Sequence, residues 1–202
     1  MNKPVIPSAE ESKVRMLAVL AAQKHAQVRQ GPPDARLRKD RLTRCVDLLL
    51  THQNELVDAI QADFGVRSRD MTRLTDIAGA IGPLKQARAS LETWMKPQSR
   101  KVTPAALGLL GARAEVRYQP KGVVGVMTPW NFPVQLALDA IAGAFAAGNR
   151  VMLKPSEFTP VTSALLAQVF DLYFDEDELA VILGGPDVGA AFSGLAFDHL
   201  IF

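Results

Sequence analysis

One stretch, residues 122–157, constrains the fold more than any other: GVVGVMTPWNFPVQLALDAIAGAFAAGNRVMLKPSE. Gly122-Val-Val-Gly-Val-Met127 is a short apolar run, suited to a strand buried on both faces. Thr128-Pro-Trp-Asn-Phe-Pro133 breaks it with two prolines. Residues 134–147 read as a mostly apolar helix closed by Gly148-Asn149. Residues 150–153 form a second apolar run, ended by Lys154-Pro-Ser-Glu157. Two buried strands joined by a helix make a βαβ unit with a right-handed crossover. Ligands of such sheets bind beyond the carboxyl ends of the strands, which is where Trp130, Asn131, Lys154 and Glu157 fall.

Composition narrows the function classes. The 202 residues are 48% apolar and 22% charged, as in an ordinary globular protein, and suffice for one or two domains. A net charge of +2, without a basic block, argues against a nucleic-acid partner. The segment MNKPVIPSAEESK has no apolar signal core. The apolar helix over 134–147 contains Gln135 and Asp139 and is too short to span a bilayer, so no membrane role is expected. A single cysteine excludes an internal disulfide framework and fits the cytoplasm.

Along the chain, Ser8-Ala-Glu-Glu11 fits a capping box before a helix running through Gln30, with Val14, Leu17, Leu20 and Ala21 as its apolar face. Gly31-Pro-Pro stops it. Asp34 is placed to cap a second helix holding Leu37, Leu42, Cys45, Val46, Leu48 and Leu49. A third is expected over 54–62. Leu74, Ile77, Ile81, Leu84, Leu91 and Trp94 predict a long amphipathic helix packed on the earlier ones and ended by Pro97. Residues 98–111 read as a weakly ordered connector. Alternation at Ala114, Val116 and Tyr118 predicts a strand. After Glu157 come a helix over 160–174, a strand over 179–183, a short helix over 187–194 and a strand over 198–202. The expected fold class is α/β, with 1–100 a helical segment packing on the rest, 101–121 a connector and assembly strand, and 122–202 the front of a parallel sheet.

Taken alone, most candidate residues have plain readings. Gly184-Gly-Pro-Asp-Val-Gly189 could turn backbone N–H groups toward a phosphate, or simply start a helix. Asn131 could be a turn or N-cap residue, and Lys154 with Glu157 a solvated pair. Cys45 sits at helical spacing with Leu42, Val46 and Leu49, as a core thiol does. His25 and His52 read as surface residues and His199 as structural. Asp63 reads as a turn residue and Asp70 as a helix start. No metal-ligand spacing occurs.

The Thr128–Pro133 run, followed by Gly148-Asn-Arg-Val-Met-Leu-Lys-Pro-Ser-Glu157, resembles the aldehyde dehydrogenase superfamily over more than thirty residues. Gly184-Gly, Asp198-His-Leu-Ile-Phe202, Asn54 and Ala62-Asp-Phe-Gly65 extend the resemblance over most of the chain. Gln135-Leu-Ala-Leu138 and Ser163-Ala-Leu-Leu166 look most like the coniferyl aldehyde and fatty aldehyde (class 3) branch. The resemblance implies N-terminal helices followed by the first half of a Rossmann-like sheet. It implies oxidation of an aromatic or aliphatic aldehyde by a cysteine nucleophile, with hydride leaving to a nicotinamide and a glutamate helping water release the acid. Asn131 matches the amide that donates to the oxyanion. Lys154 and Glu157 match the pair holding the adenosine ribose. Glu157 would repel a 2′-phosphate and favours NAD, although the branch also admits NADP. Thr128, Trp130 and Gly185 match positions lining the nicotinamide ribose and the adenine. The strand over 113–118 resembles part of an assembly hairpin and implies a homodimer or larger.

The family's nucleophile and general base match nothing in this chain. The last apolar run reads as a strand that belongs in a sheet, so 1–202 is expected to be the front of a longer protein or a truncated product, with a short edge strand at a true terminus as the plain alternative. Two functions follow as expectations. One is a part of an NAD(P)-dependent aldehyde dehydrogenase, inactive by itself. The other is a non-catalytic nucleotide-binding or association module.

Overall fold

The computed structural model describes residues 9–202. Ser8, and with it the expected capping box, lies outside the described residues. The chain runs through α1 (Ala9–Gln30), α2 (Ala35–Thr51), α3 (Gln53–Phe64) and α4 (Arg69–Thr72). A π-helical turn, Arg73–Ala78, leads into α5 (Gly79–Met95). Then follow β1 (Gln98–Arg100), α6 (Ala105–Leu109), β2 (Ala114–Val116) and β3 (Val123–Met127). The rest is α7 (Gln135–Ala146), β4 (Arg150–Lys154), α8 (Pro160–Tyr173), β5 (Leu179–Val181), α9 (Pro186–Ser193) and β6 (His199–Ile201).

The four strands β5-β4-β3-β6 form a parallel sheet, with Val124 opposite Val151 and Met127 opposite Lys154. Because successive side chains point to opposite faces, the apolar runs supply both faces. Val124, Val126, Val151, Leu153, Leu179 and Val181 join a core with α2, α3, α5, α7 and α8. Val123, Met152, Ala180 and Ile182 join a second core with α1 and α9. Phe145 and Phe170 are fully buried in the first core, each contributing about 1.5–3 kcal/mol by leaving water. Gly125 lets the two layers meet, since a Cβ there would lie 2.5 Å from the Phe197 ring. Gly148 adopts φ +85°, and a Cβ on it would press on the Arg38 guanidinium at 2.7 Å.

Several expectations are corrected. The buried face of α1 is Ser12, Met16, Val19, Leu20, Gln23 and Ala26, whereas Val14, Leu17 and Ala21 are exposed. Two polar residues disguise this face: Gln23 Nε2 donates to the Val151 and Glu176 carbonyls at 2.9 and 3.0 Å, so it belongs inside. In the long helix, Leu74 and Trp94 point outward while Ile77, Leu84 and Leu91 are buried. The π turn shifts the helical phase around Leu74, and Met95 takes the inward place next to Leu91. The connector over 98–111 is ordered: β1 pairs antiparallel with β2, and α6 fills the space between them in sequence.

The helices before the sheet also terminate the helices within it. Neither α7 nor α8 has a capping side chain at its own N-cap. For α8 the acceptor is Asp63, which was expected in a turn and instead lies in the last turn of α3. It accepts from Val161 N at 3.0 Å, Thr162 N at 2.8 Å and Thr162 Oγ1 at 2.7 Å. Asp63→Ala should cost about 1–2 kcal/mol and lower Tm by roughly 2–8 °C in a thermal melt; an unchanged melt contradicts the cap.

Arg41 and Arg44 of α2 meet Glu178 at 2.9 Å each. Burial raises the Glu178 carboxyl, but the Arg44 hydrogen bond and the Arg41 charge outweigh it and hold the group below its ordinary 4.5. A carboxyl depressed by folding stabilises the chain above the unfolded value and loses that contribution as pH falls through the folded one. Tm should therefore fall on acidification below about pH 4.5, and Glu178→Gln should flatten that fall; identical acid profiles contradict the assignment.

Candidate functional site

The strand order places β4 on one side of β3 and β6 on the other. The chain therefore reverses direction across the sheet at the carboxyl end of β3, the place where open α/β sheets form their ligand crevice. A cleft of about 410 Å³ lies there, lined by Met127, Lys154, Glu157, Pro186, Gly189, Ala190, Ser193, Leu200 and Phe202.

Lys154 ends β4 and its side chain is buried. Its Nζ donates to Glu157 Oε2 at 2.9 Å and to the Pro155 carbonyl at 3.2 Å. Glu157 is held by the turn beneath it, where Ser163 Oγ donates to Ser156 O at 2.8 Å and Phe158 N donates to Ser156 Oγ at 3.2 Å. Burial opposes the Glu157 charge, yet the hydrogen bond from Lys154 keeps its carboxyl below the usual range. A Cβ at Gly189 of α9 would lie 3.4 Å from Lys154 Cε, so a small residue leaves the lysine its path. The pair is thus an ionised carboxylate beside a cation at the mouth of a parallel sheet, able to bind neighbouring hydroxyls.

Thr128 follows β3, and its N–H donates to the Lys154 carbonyl at 3.2 Å. Its hydroxyl is buried and has no hydrogen-bond partner among the described residues. Trp130 is half exposed, with its ring 6.2 Å from that of Phe64. Gly185 is the N-cap of α9. Asn131 is exposed on the turn between β3 and α7. The structure brings Lys154 and Glu157 into one cleft. Thr128, Trp130 and Asn131 lie together on the adjoining turn, and Gly185 immediately precedes the cleft residue Pro186.

Two residues of this region were not singled out in the sequence. Arg67 Nη1 donates to the Asn131 carbonyl at 2.8 Å, and its Nη2 meets Asp76 Oδ2 at 2.8 Å. Asp76 is fully buried in the π turn, and its Oδ1 accepts from Val134 N at 3.2 Å. Burial pushes the Asp76 carboxyl up, with Arg67 and the backbone N–H groups pulling the other way. The only signal in sequence was an aspartate at helical spacing on an otherwise apolar face, next to Ile77.

The remaining candidates take structural places. Cys45 is fully buried, and burial raises its thiol far above the ordinary value. His25 is exposed. His52, expected at the surface, is instead largely covered: its ring packs edge-on to Tyr173 and its Nδ1 lies 2.8 Å from Glu55. His199 Nδ1 lies 3.2 Å from Lys121 Nζ, and Asp70 is in the first turn of α4. Among the described residues no group of three or more His, Cys, Asp and Glu could hold a metal ion, and no helix is long and apolar enough to cross a membrane.

A "Probable coniferyl aldehyde dehydrogenase" of Caulobacter vibrioides is 59% identical over 202 residues, which is all of this chain and 42% of that protein. A "Coniferyl aldehyde dehydrogenase" of a Pseudomonas species is 51% identical over 185 residues, 92% of this chain and 37% of that protein. The chain therefore spans well under half the length of these relatives. Among solved structures, the substrate-bound state of Staphylococcus aureus AldH superimposes with a TM-score of 0.86 at 27% identity, over 93% of this chain and 40% of that one. The family model for the aldehyde dehydrogenase family matches residues 5–198, and the chain belongs to that family.

Proposed function

We propose that residues 1–202 are the N-terminal part of an NAD-dependent aldehyde dehydrogenase that oxidises a coniferyl-aldehyde-like substrate to its carboxylic acid. The observation that carries this reading is the buried Lys154 paired with Glu157 in the cleft at the reversal of strand order, beside the turn bearing Asn131. Family membership and 59% identity to a probable coniferyl aldehyde dehydrogenase support the reaction class and the substrate class.

Each residue then has a task. Lys154 and Glu157 hold the adenosine ribose. The Glu157 carboxylate accepts from a 2′-hydroxyl and repels a 2′-phosphate, which favours NAD over NADP. Thr128, Trp130 and Gly185 bound the cofactor around that pair. Bound there, the nicotinamide supplies the hydride acceptor. Asn131 donates its side-chain amide to the oxygen of the aldehyde as negative charge develops on it. Cys45, buried and held protonated, is no nucleophile, so the thiol and the general base come from residues outside these 202. The chain alone is accordingly proposed to be inactive. The β1–β2 hairpin is exposed on five of its six residues and is the surface proposed for homo-oligomer assembly. A reduced, buried thiol suits the cytoplasm, the proposed location.

A chimera tests the assignment, with residues 1–202 replacing the matching part of the Caulobacter vibrioides protein. It should reduce NAD with coniferyl aldehyde. Asn131→Ala should lower kcat by about 10²–10³. Glu157→Gln should narrow the preference for NAD over NADP by about tenfold. An inactive chimera, or one indifferent to Asn131, contradicts the reading. The 202-residue chain alone should give no NADH, and its cysteine should react with a chromogenic disulfide reagent only after unfolding. Rapid labelling of the native chain contradicts the structural role of Cys45.

A further inference from the structure

The turn bearing Asn131 is gripped from outside its own strand and helix. Arg67, in the loop between α3 and α4, donates from Nη1 to the Asn131 carbonyl at 2.8 Å. From Nη2 it donates to Asp76 Oδ2 at 2.8 Å and Thr75 Oγ1 at 3.1 Å. The guanidinium lies 5.0 Å from the Phe64 ring centroid and 4.9 Å from that of Phe132. Asp76 Oδ1 accepts from Val134 N at 3.2 Å and from Gln135 N at 3.5 Å. One ion pair therefore fastens the backbone at residue 131 and again at residues 134 and 135, on both sides of Phe132-Pro133.

This arrangement is more than a helix cap. A cap for α7 needs only Asp76; it does not need a planar fork that also reaches the carbonyl of Asn131. The guanidinium also lies over two aromatic rings, contacts that restrict how the fork can move. The π turn, a device found frequently at functional sites, carries Asp76 at its centre. A donor aimed at a developing charge works only if its backbone is held to within a fraction of an ångström.

We propose that Arg67 and Asp76 are positioning residues that fix the backbone of residues 131–135 and so direct the Asn131 amide toward the reacting oxygen. The proposal rests on the reading of Asn131 as an oxyanion donor. In the chimera, Arg67→Gln should lower kcat for coniferyl aldehyde about 10–100-fold while KM for NAD stays within about twofold. The Asn131→Ala/Arg67→Gln double variant should be no slower than Asn131→Ala, because no donor remains to be aimed. An unchanged kcat, or losses that multiply, overturns the proposal. Arg67→Lys keeps the charge without the fork and serves if the glutamine variant does not fold.

A second readout needs no activity. In the 202-residue chain, Arg67→Lys should speed hydrogen exchange at the Val134 and Gln135 amides about tenfold, leaving the β4 amides unchanged. Equal exchange at those two amides overturns the proposal. If the unmutated chimera is inactive, the dehydrogenase reading fails, and the exchange result still decides whether Arg67 holds the turn.

Discussion

Helix α7 is held at both ends by charges that belong to other helices. Asp76 presents its carboxylate to the amides of Val134 and Gln135. Arg38 of α2 donates to the Ala146 carbonyl at 3.1 Å, two residues before Gly148. An acid at the N-terminus and a base at the C-terminus both oppose the helix dipole, and each satisfies backbone groups the helix leaves unpaired. The first turn of α7 has no acidic residue and its last turn no basic one. The helix depends on its neighbours for both.

This dependence ties the helices before residue 100 to the sheet after it. The same logic recurs at α8, whose N-terminal amides are met by Asp63, and at β3, where Asn149 Oδ1 accepts from Gly122 N at 3.0 Å and Asp198 Oδ2 from Val123 N at 2.8 Å. Apolar packing gives the layers their adhesion, while these directional bonds give them their register. The functional consequence lies at the carboxyl ends of β3 and β4. Lys154 leaves one strand and the Asn131 turn leaves the other, paired through Thr128 N and Lys154 O. A shift of either strand would move the two halves of the site apart.

The βαβ unit was legible because its signals are local: unbroken apolar runs of strand length, a helix of apolar residues, and Gly148-Asn149 between them. The Lys154–Glu157 pairing was legible for the same reason, since the partners are three positions apart, but taken alone it read as a solvated pair, whereas Lys154 is buried. Asp34 as a cap was equally local, accepting from Leu37 N at 2.8 Å. The failures came where polar residues work at long range. Gln23 reaches a carbonyl 128 positions away, and its burial hid the inner face of α1. Asp63 and Asp76 act on amides 98 and 58 positions away, so neither spacing nor composition could show them as caps. The strand Gln98–Arg100 has no apolar alternation, because its burial is slight and its order comes from pairing with Ala114–Val116.

We propose that the cleft at the strand reversal holds a nicotinamide dinucleotide with its reactive end at the Asn131 turn. A crystal structure of the chimera with NAD tests it most directly. The adenosine ribose should lie on Lys154 and Glu157, and the nicotinamide beside the turn of residues 128–131. Cofactor bound away from Lys154, or with its nicotinamide turned from Asn131, would overturn this assignment of the cleft.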